Sequence, residues 1–170
     1  MSRAVRIGVL SDTHRDEAAI RQVLKRLLAA GPLDALCFLG DCAADLRVIE
    51  ANLPQGHKTA VYAVRGNNDV FAAETDELTV SLGGKKLLLT HGHRQRVKMH
   101  RLGLLLHARE QGADVALFGH THRPECRYEQ GILLLNPGAA CRANPAWAEL
   151  VIRDGVVTPR QFTMMEGDEV

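Results

Sequence analysis

The sequence predicts a mixed α/β fold, and three observations lead there. Over the first sixty-odd residues, short apolar runs alternate with amphipathic stretches in the order strand, helix, strand, helix, strand, the signature of a parallel sheet with right-handed crossovers. In the second half, glycine-marked turns separate pairs of strand-like runs, which reads as antiparallel hairpins. Five apolar runs also break off abruptly into Asp, Asn or His. Buried strands are apolar and ligands are not, so such switches suggest strand ends that converge, as they do beyond the carboxyl ends of the strands in open α/β sheets. The expected picture is two mixed sheets packed together with helices outside, although the pattern alone does not order the layers.

Taken in order, Ala4–Leu10 is the first strand. Glu17–Ala30 is a helix, because Ile20, Val23, Leu24, Leu27 and Leu28 fall on one face; Asp16 is its N-cap and Gly31-Pro32 its stop. Ala35–Leu39 is a short buried strand, Ala44–Leu53 a helix with Leu46, Ile49 and Leu53 on one side, and His57–Val64 a third strand. Leu78–Leu82 and Lys85–Thr90 flank Gly83-Gly84 as a hairpin. Val97–Gln111 reads as a helix with Leu102, Leu105 and Leu106 inward and Gly112 as its stop. Val115–Phe118 returns to strand, and Cys126–Gln130 with Ile132–Leu135, then Ala148–Arg153 with Val156–Thr158, form two further hairpins, the latter around Asp154-Gly155.

The chain has 170 residues, enough for one domain, expected over residues 1–162 with a flexible polar tail over 163–170. A net charge of +1 gives no global field to recruit a nucleic-acid polymer or an anionic membrane. No stretch approaches the roughly 20 apolar residues of a membrane helix, and the N-terminus lacks the pattern of a signal peptide, so a cytoplasmic protein is expected. Cys37, Cys42, Cys126 and Cys141 form no C-x-x-C pair, which argues against a structural zinc knuckle; Cys37 is expected to be buried and reduced.

The donors after the five runs are Asp12 and His14, Asp41, Asn67, His91, and His120 and His122. In an extended segment side chains at i and i+2 share a face, so each D-x-H or H-x-H pair is expected to reach one ion. Oxygen and imidazole donors suit Mn, Ni, Fe, Zn or Mg rather than a soft thiolate site. Seven ligands are too many for one tetrahedral ion. They fit two cations about 3.5–4 Å apart that share a carboxylate, a pair that can hold phosphoryl oxygens and supply a metal-bound hydroxide. Each motif alone is weak. Asp12, Asp41 or Asn67 could each cap a turn, but that leaves His91, His120 and His122 unexplained.

In this order, Asp12-x-His14, Gly40-Asp41, Gly66-Asn67-x-Asp69, His91-Gly92-His93 and Gly119-His120-x-His122 resemble the signature of the calcineurin-like metallophosphoesterases. The brevity of the chain, Thr90–His93, Gly119–Pro124 and Asn136-Pro137-Gly138 are similar to the small YfcE-type bacterial and archaeal phosphodiesterase branch. The resemblance implies a four-layer αββα sandwich and dimetal hydrolysis of small phosphodiesters, with manganese favoured over nickel, iron or zinc. Position by position it implies one cation on Asp12, His14, Asp41 and His122, the other on Asp41, Asn67, His91 and His120, and Asp41 as the bridge.

The chain departs from that pattern at two places. The family's G-N-H-[DE] histidine is Asn68 here, which can hydrogen-bond phosphate but has no useful proton to give. The second acidic residue of G-D-x-x-D is replaced by Ala44, with Asp45 one residue late. Leaving-group protonation then falls to water or His93, and a preference for good leaving groups such as aryl diesters is expected. Asn68 and His93 are the candidate catalytic side chains; Asn68, Arg94 and Arg123 are the candidate substrate contacts. Arg65 and Arg142 lie near the motifs, Asp69 is expected to cap the segment after Asn68, and Asn136-Pro137-Gly138 to form a wall of the site. The competing readings are a phosphomonoesterase or nucleotide phosphatase on the same ligands and a Vps29-like non-catalytic protein-interaction scaffold. A homo-oligomer is left open.

Overall fold

Residues 3–164 are described by the computed structural model. Among the described residues, ten strands form two five-stranded sheets, ordered β10-β9-β1-β2-β3 and β4-β5-β6-β8-β7. The first holds β1 (Val5–Leu10), β2 (Ala35–Phe38), β3 (Ala60–Ala63), β9 (Ala146–Arg153) and β10 (Val156–Thr163). The second holds β4 (Glu77–Leu82), β5 (Lys85–Thr90), β6 (Val115–Leu117), β7 (Glu125–Glu129) and β8 (Ile132–Asn136). β1, β2 and β3 are parallel, as are β5, β6 and β8, so each sheet has a parallel centre; β9, β10, β4 and β7 add antiparallel margins.

The two-residue period of the strands builds the four layers. Ile7, Val9, Cys37, Leu87, Leu89, Leu117, Leu135 and Leu150 point inward and pack the sheets on each other. Their neighbours in sequence point outward. Leu10, Leu36 and Phe38 meet Ile20, Val23, Leu24 and Leu27 of α1 (Glu17–Ala29) and Ile49 of α2 (Leu46–Ala51). Leu88, Ala116 and Leu134 meet Leu104, Leu105 and Ala108 of α3 (Leu102–Glu110). The order is helix, sheet, sheet, helix. Asp16 caps α1 as expected, accepting the Ala19 N–H at 3.0 Å. Arg6 bonds the Leu27 and Gly31 carbonyls at the other end of α1 and pairs with Glu149 of the adjacent β9 at 2.6 Å, tying the helix to its sheet.

Several helical or strand expectations change, and β9 and β10 extend beyond the expected 148–153 and 156–158. Residues 44–53 hold a 3₁₀ turn at Ala43–Asp45 before α2, because Asp45 turns inward to bind a neighbouring loop. Expected strand 57–64 is paired only from Ala60, where β2 offers a partner. The helix expected at 97–111 begins at Leu102. Val97 is instead buried against Gly92, in the apolar cluster that holds Leu88, Leu104 and Phe118, and 97–101 stay outside the helix. With that start, Leu104, Leu105 and Ala108 form the inner face, while Leu102 and Leu106 are exposed. Of the tail expected from 163, Thr163 closes β10 and the Met164 N–H bonds Pro145; residues from 165 onward lie outside the described residues. No described helix is long and apolar enough to cross a membrane.

Candidate metal centre

The donors leave from the carboxyl ends of the parallel strands: Asp12 and His14 after β1, Asp41 after β2, Asn67 after β3, His91 after β5, and His120 and His122 after β6. The sheets face each other, so these exits meet at one edge of the sandwich. The segments are not extended. Asp12, His14, Asp41, His120 and His122 all adopt left-handed φ, between 46° and 68°. The i, i+2 spacing therefore works through tight left-handed turns, not through the shared face of a strand. Asp and His tolerate that region better than most residues, and its recurrence at five donors marks a backbone bent to aim side chains. Two glycines allow the loops to close on each other. A Cβ on Gly66 would lie 2.1 Å from Asp41 Oδ1, and one on Gly119 would lie 2.0 Å from Ser11 Oγ.

Two groups of donors result. Asp12, His14, Asp41 and His122 each offer an atom within 4.8 Å of the others, and Asp41, His91 and His120 do the same. Asp41 is common to both. In the first group the Nε2 atoms of His14 and His122 face each other at 3.2 Å, and His122 Nε2 lies 3.1 Å from Asp12 Oδ1. Among the described residues that Oδ1 is buried and accepts no hydrogen bond, whereas Oδ2 accepts Ser11 Oγ and the His120 N–H. In the second group His91 Nδ1 donates to the Leu39 carbonyl at 2.7 Å, which fixes the ring and turns Nε2 toward Asn67 Oδ1 at 3.2 Å and Asp41 Oδ2 at 3.5 Å. An imidazole held through its other nitrogen is the usual support of a metal-binding histidine. Converging lone pairs of this kind call for a cation or a proton between them. Oxygen and imidazole donors in two sets with one carboxylate in common are suited to divalent cations, and Asn67 Oδ1 lies beside the second set.

The electrostatics agree with that chemistry. Burial opposes ionisation of Asp41, but the adjacent His91 and the two Asn68 donors outweigh it and hold the carboxyl well below the usual range. Burial also opposes a charge on His91, yet contact with Asp41 and Asp12 raises it. His120 is pushed down to about 4 by burial and by the charges of His91 and Lys98, so its imidazole is a neutral donor near neutrality. Burial, then His91, also lowers His93.

Three residues noticed in or beside the motifs turn out to support the cluster in ways the sequence did not indicate. Asp69 is 8% exposed, and its carboxylate accepts the backbone N–H of Asp41, Cys42, Ala43 and Gly66 at 2.8–3.0 Å. It thus caps the loop after β2 rather than the segment after Asn68, and it clamps the Asp41 and Asn67 loops together. Asp45, one position late for the family pattern, accepts Thr13 Oγ1 and the Arg15 N–H and braces the turn that carries His14. Asn136 is fully buried; it donates to the Gly119 carbonyl and Thr121 Oγ1, so it anchors the turn carrying His120 and His122 rather than simply walling the site. The signal in the sequence is only an acid or amide in or beside a motif, and the partners that give it meaning lie as far as 32 residues away.

The remaining candidates divide. Asn68 lies at the centre, its amide donating to Asp41 Oδ2 at 2.8 Å. His93 sits at its edge, with ring centroids 5.5 Å from His91 and 6.1 Å from His120 and a buried Nδ1 that has no hydrogen-bond partner among the described residues. The Arg94 guanidinium pairs with Asp76, which also holds Arg65, so both arginines are engaged within the protein. Arg123 is exposed beside the Thr121 hydroxyl, which accepts its backbone N–H. The Arg142 backbone N–H bonds Asp16. A cleft of about 830 Å³ opens beside the cluster, with His14 and Asn68 in its lining.

The chain is similar to known proteins. The model of the calcineurin-like phosphoesterase superfamily domain matches residues 5–154. The chain is 32% identical over 166 residues to a probable metallophosphoesterase of Bacillus subtilis (strain 168), covering 95% of this chain and 92% of that one. It is 25% identical over 151 residues to a phosphodiesterase of Methanocaldococcus jannaschii, covering 81% and 85%. Among solved structures, Vps29 of Entamoeba histolytica complexed with zinc superposes with a TM-score of 0.80 at 26% identity, covering 98% of this chain and 96% of that one.

Proposed function

Because the chain belongs to the calcineurin-like phosphoesterase superfamily, we propose that it is a dimetal-dependent phosphoesterase that hydrolyses small phosphodiesters. The observation that carries this is Asp41, whose carboxylate belongs to both donor groups. Bound there, two divalent cations would neutralise phosphoryl oxygens and make a water nucleophilic near neutral pH. The residues supply the rest. Asp12, His14, Asp41, Asn67, His91, His120 and His122 are the proposed ligands. Asn68, already directed at Asp41 through Nδ2, is placed to hydrogen-bond a phosphoryl oxygen. His93 faces the same space, and burial together with the charge of His91 lowers its basicity, which favours the neutral imidazole as a hydrogen-bonding partner. Arg123 is exposed and can approach the phosphate from outside, whereas Arg94 reaches it only by leaving Asp76. Manganese is the proposed metal, and the zinc complex of the Vps29 neighbour supports a site that also takes zinc.

With Asn68 in place of an acid, departure of the leaving group depends on its own stability. Rates with a series of aryl methyl phosphates of rising phenol acidity should climb steeply, and unactivated dialkyl diesters should be turned over far more slowly. A flat series would overturn that account. The function itself is tested by metal content and turnover together: two manganese ions per chain and faster hydrolysis of bis(4-nitrophenyl) phosphate than of 4-nitrophenyl phosphate are expected. The reverse preference would make it a monoesterase, and a metal-loaded chain inert toward both would favour a non-catalytic scaffold.

A further inference from the structure

The cleft beside the metal centre is lined by three segments, His14-Arg15, Cys42–Glu50 and Asn68–Glu74. Its volume of about 830 Å³ falls in the range of small-molecule sites. It is continuous with the donor cluster, since His14 belongs to one donor group and Asn68 is bonded to Asp41. An ester held at the two donor groups would therefore have one of its arms beside this space.

The chemistry of the lining selects the arm. Phe71 is 100% exposed and Val70 71% exposed, so the cleft presents two large apolar side chains that stand clear of the folded core. The segment that carries them is pinned at both ends. Asp69 is held by four backbone donors, the Ala72 N–H bonds the Asp69 carbonyl, and the Arg65 N–H bonds the Thr75 carbonyl. A ring on a short, tethered loop loses little freedom when a ligand lies against it. The lining carries two arginines, Arg15 and Arg47, and two glutamates, Glu50 and Glu74, so these charges balance in number, and the Asp69 carboxylate is committed to its backbone donors. The lining therefore offers no net attraction to a second anionic group.

We propose that this cleft is a specificity subsite that takes one arm of the substrate, and that this arm is a planar, uncharged aromatic group lying against Phe71. The position of the phosphate rests on the phosphodiesterase reading; the nature of the arm follows from the lining alone.

Phenylphosphonate and methylphosphonate differ in the arm, and at a pH alkaline enough to ionise both heads fully they carry the same dianionic head. Titrated calorimetrically into the manganese-loaded protein, phenylphosphonate should bind about five- to tenfold more tightly. Phe71→Ala should remove that preference and leave the methylphosphonate Kd unchanged, and Phe71→Trp should keep it. The ring contributes nothing to the folded core, so the variant protein is expected to fold. Equal affinity for the two phosphonates in the wild type, a preference that survives Phe71→Ala, or binding of neither overturns the subsite. Failure of the catalytic reading looks different: the preference persists and depends on Phe71, while bis(4-nitrophenyl) phosphate is not hydrolysed.

Discussion

Asp69 shows how much of this centre rests on a residue that meets no ligand position. Its carboxylate is the common acceptor of the backbone N–H groups of Asp41, Cys42, Ala43 and Gly66, and it joins two loops that arrive from different strands. A buried backbone donor left without a partner costs about 1–3 kcal/mol. Asp69→Ala strands four of them, and water entering from the adjacent cleft would satisfy some. A loss of about 2–4 kcal/mol is expected, read as a fall in Tm of about 2–4 °C per kcal/mol for a chain of this size. Metal affinity should fall in the same variant, because Asp41 and Asn67 lose their common anchor. Asp69→Asn, which keeps one acceptor oxygen, should lie between. Unchanged thermal stability in Asp69→Ala would show the clamp to be ornamental. The motif G-N-x-D makes the residue visible in the sequence but not its partners, since three of the four lie 26–28 positions upstream. The seven donors are visible for a simpler reason: each closely follows an apolar run. How they meet is not visible, because the left-handed turns at Asp12, His14, Asp41, His120 and His122 leave no mark that side-chain spacing can register.

Among the elements, α3 is where periodicity misleads. Leucines at 102, 105 and 106 fit an inward stripe for a helix that starts at Val97. The helix starts later because Val97 serves a different purpose, packing over Gly92 at the entrance to the His91 turn. The inner face then shifts to Leu104, Leu105 and Ala108. This makes opposite predictions for chemically identical residues. Leu105→Ala, in a site with no exposure, should cost about 2–5 kcal/mol through lost contacts and the cavity left behind. Leu102→Gln, at 55% exposure, should stay within about 0.5 kcal/mol of the wild type. Denaturant melts of the two variants check the assignment, and equal losses would put Leu102 on the inner face. By contrast the β4–β5 and β9–β10 hairpins are legible at their turns, Gly83-Gly84 and Asp154-Gly155, because a two-residue loop leaves its demand for positive φ in the residue types themselves.

At the scale of the molecule, the donor groups join the two sheets. Asp12, His14 and Asp41 leave the first sheet and His122 the second; Asp41 leaves the first, and His91 and His120 the second. No local segment of the unfolded chain can assemble either group, since the donors range from position 12 to position 122. Cations that bind here therefore bind the folded state almost exclusively, and they stabilise it by mass action, about 2.7 kcal/mol per site at a hundredfold excess over Kd. The buried carboxylates, Asp12 with an unbonded Oδ1 and Asp41, act on this through Kd, since a cation placed beside them is held more tightly. One occupied site should raise Tm by about 5–10 °C, a chelator should reverse the rise, and two sites should raise it further along a biphasic titration. Asp41→Asn is the decisive control, because it weakens both groups at once, whereas His14→Ala touches only the first. Wild type should show two phases, His14→Ala one, and Asp41→Asn little or none. A single phase in the wild type, or a shift that survives Asp41→Asn, would mean that the two sheets do not share their cations through that carboxylate.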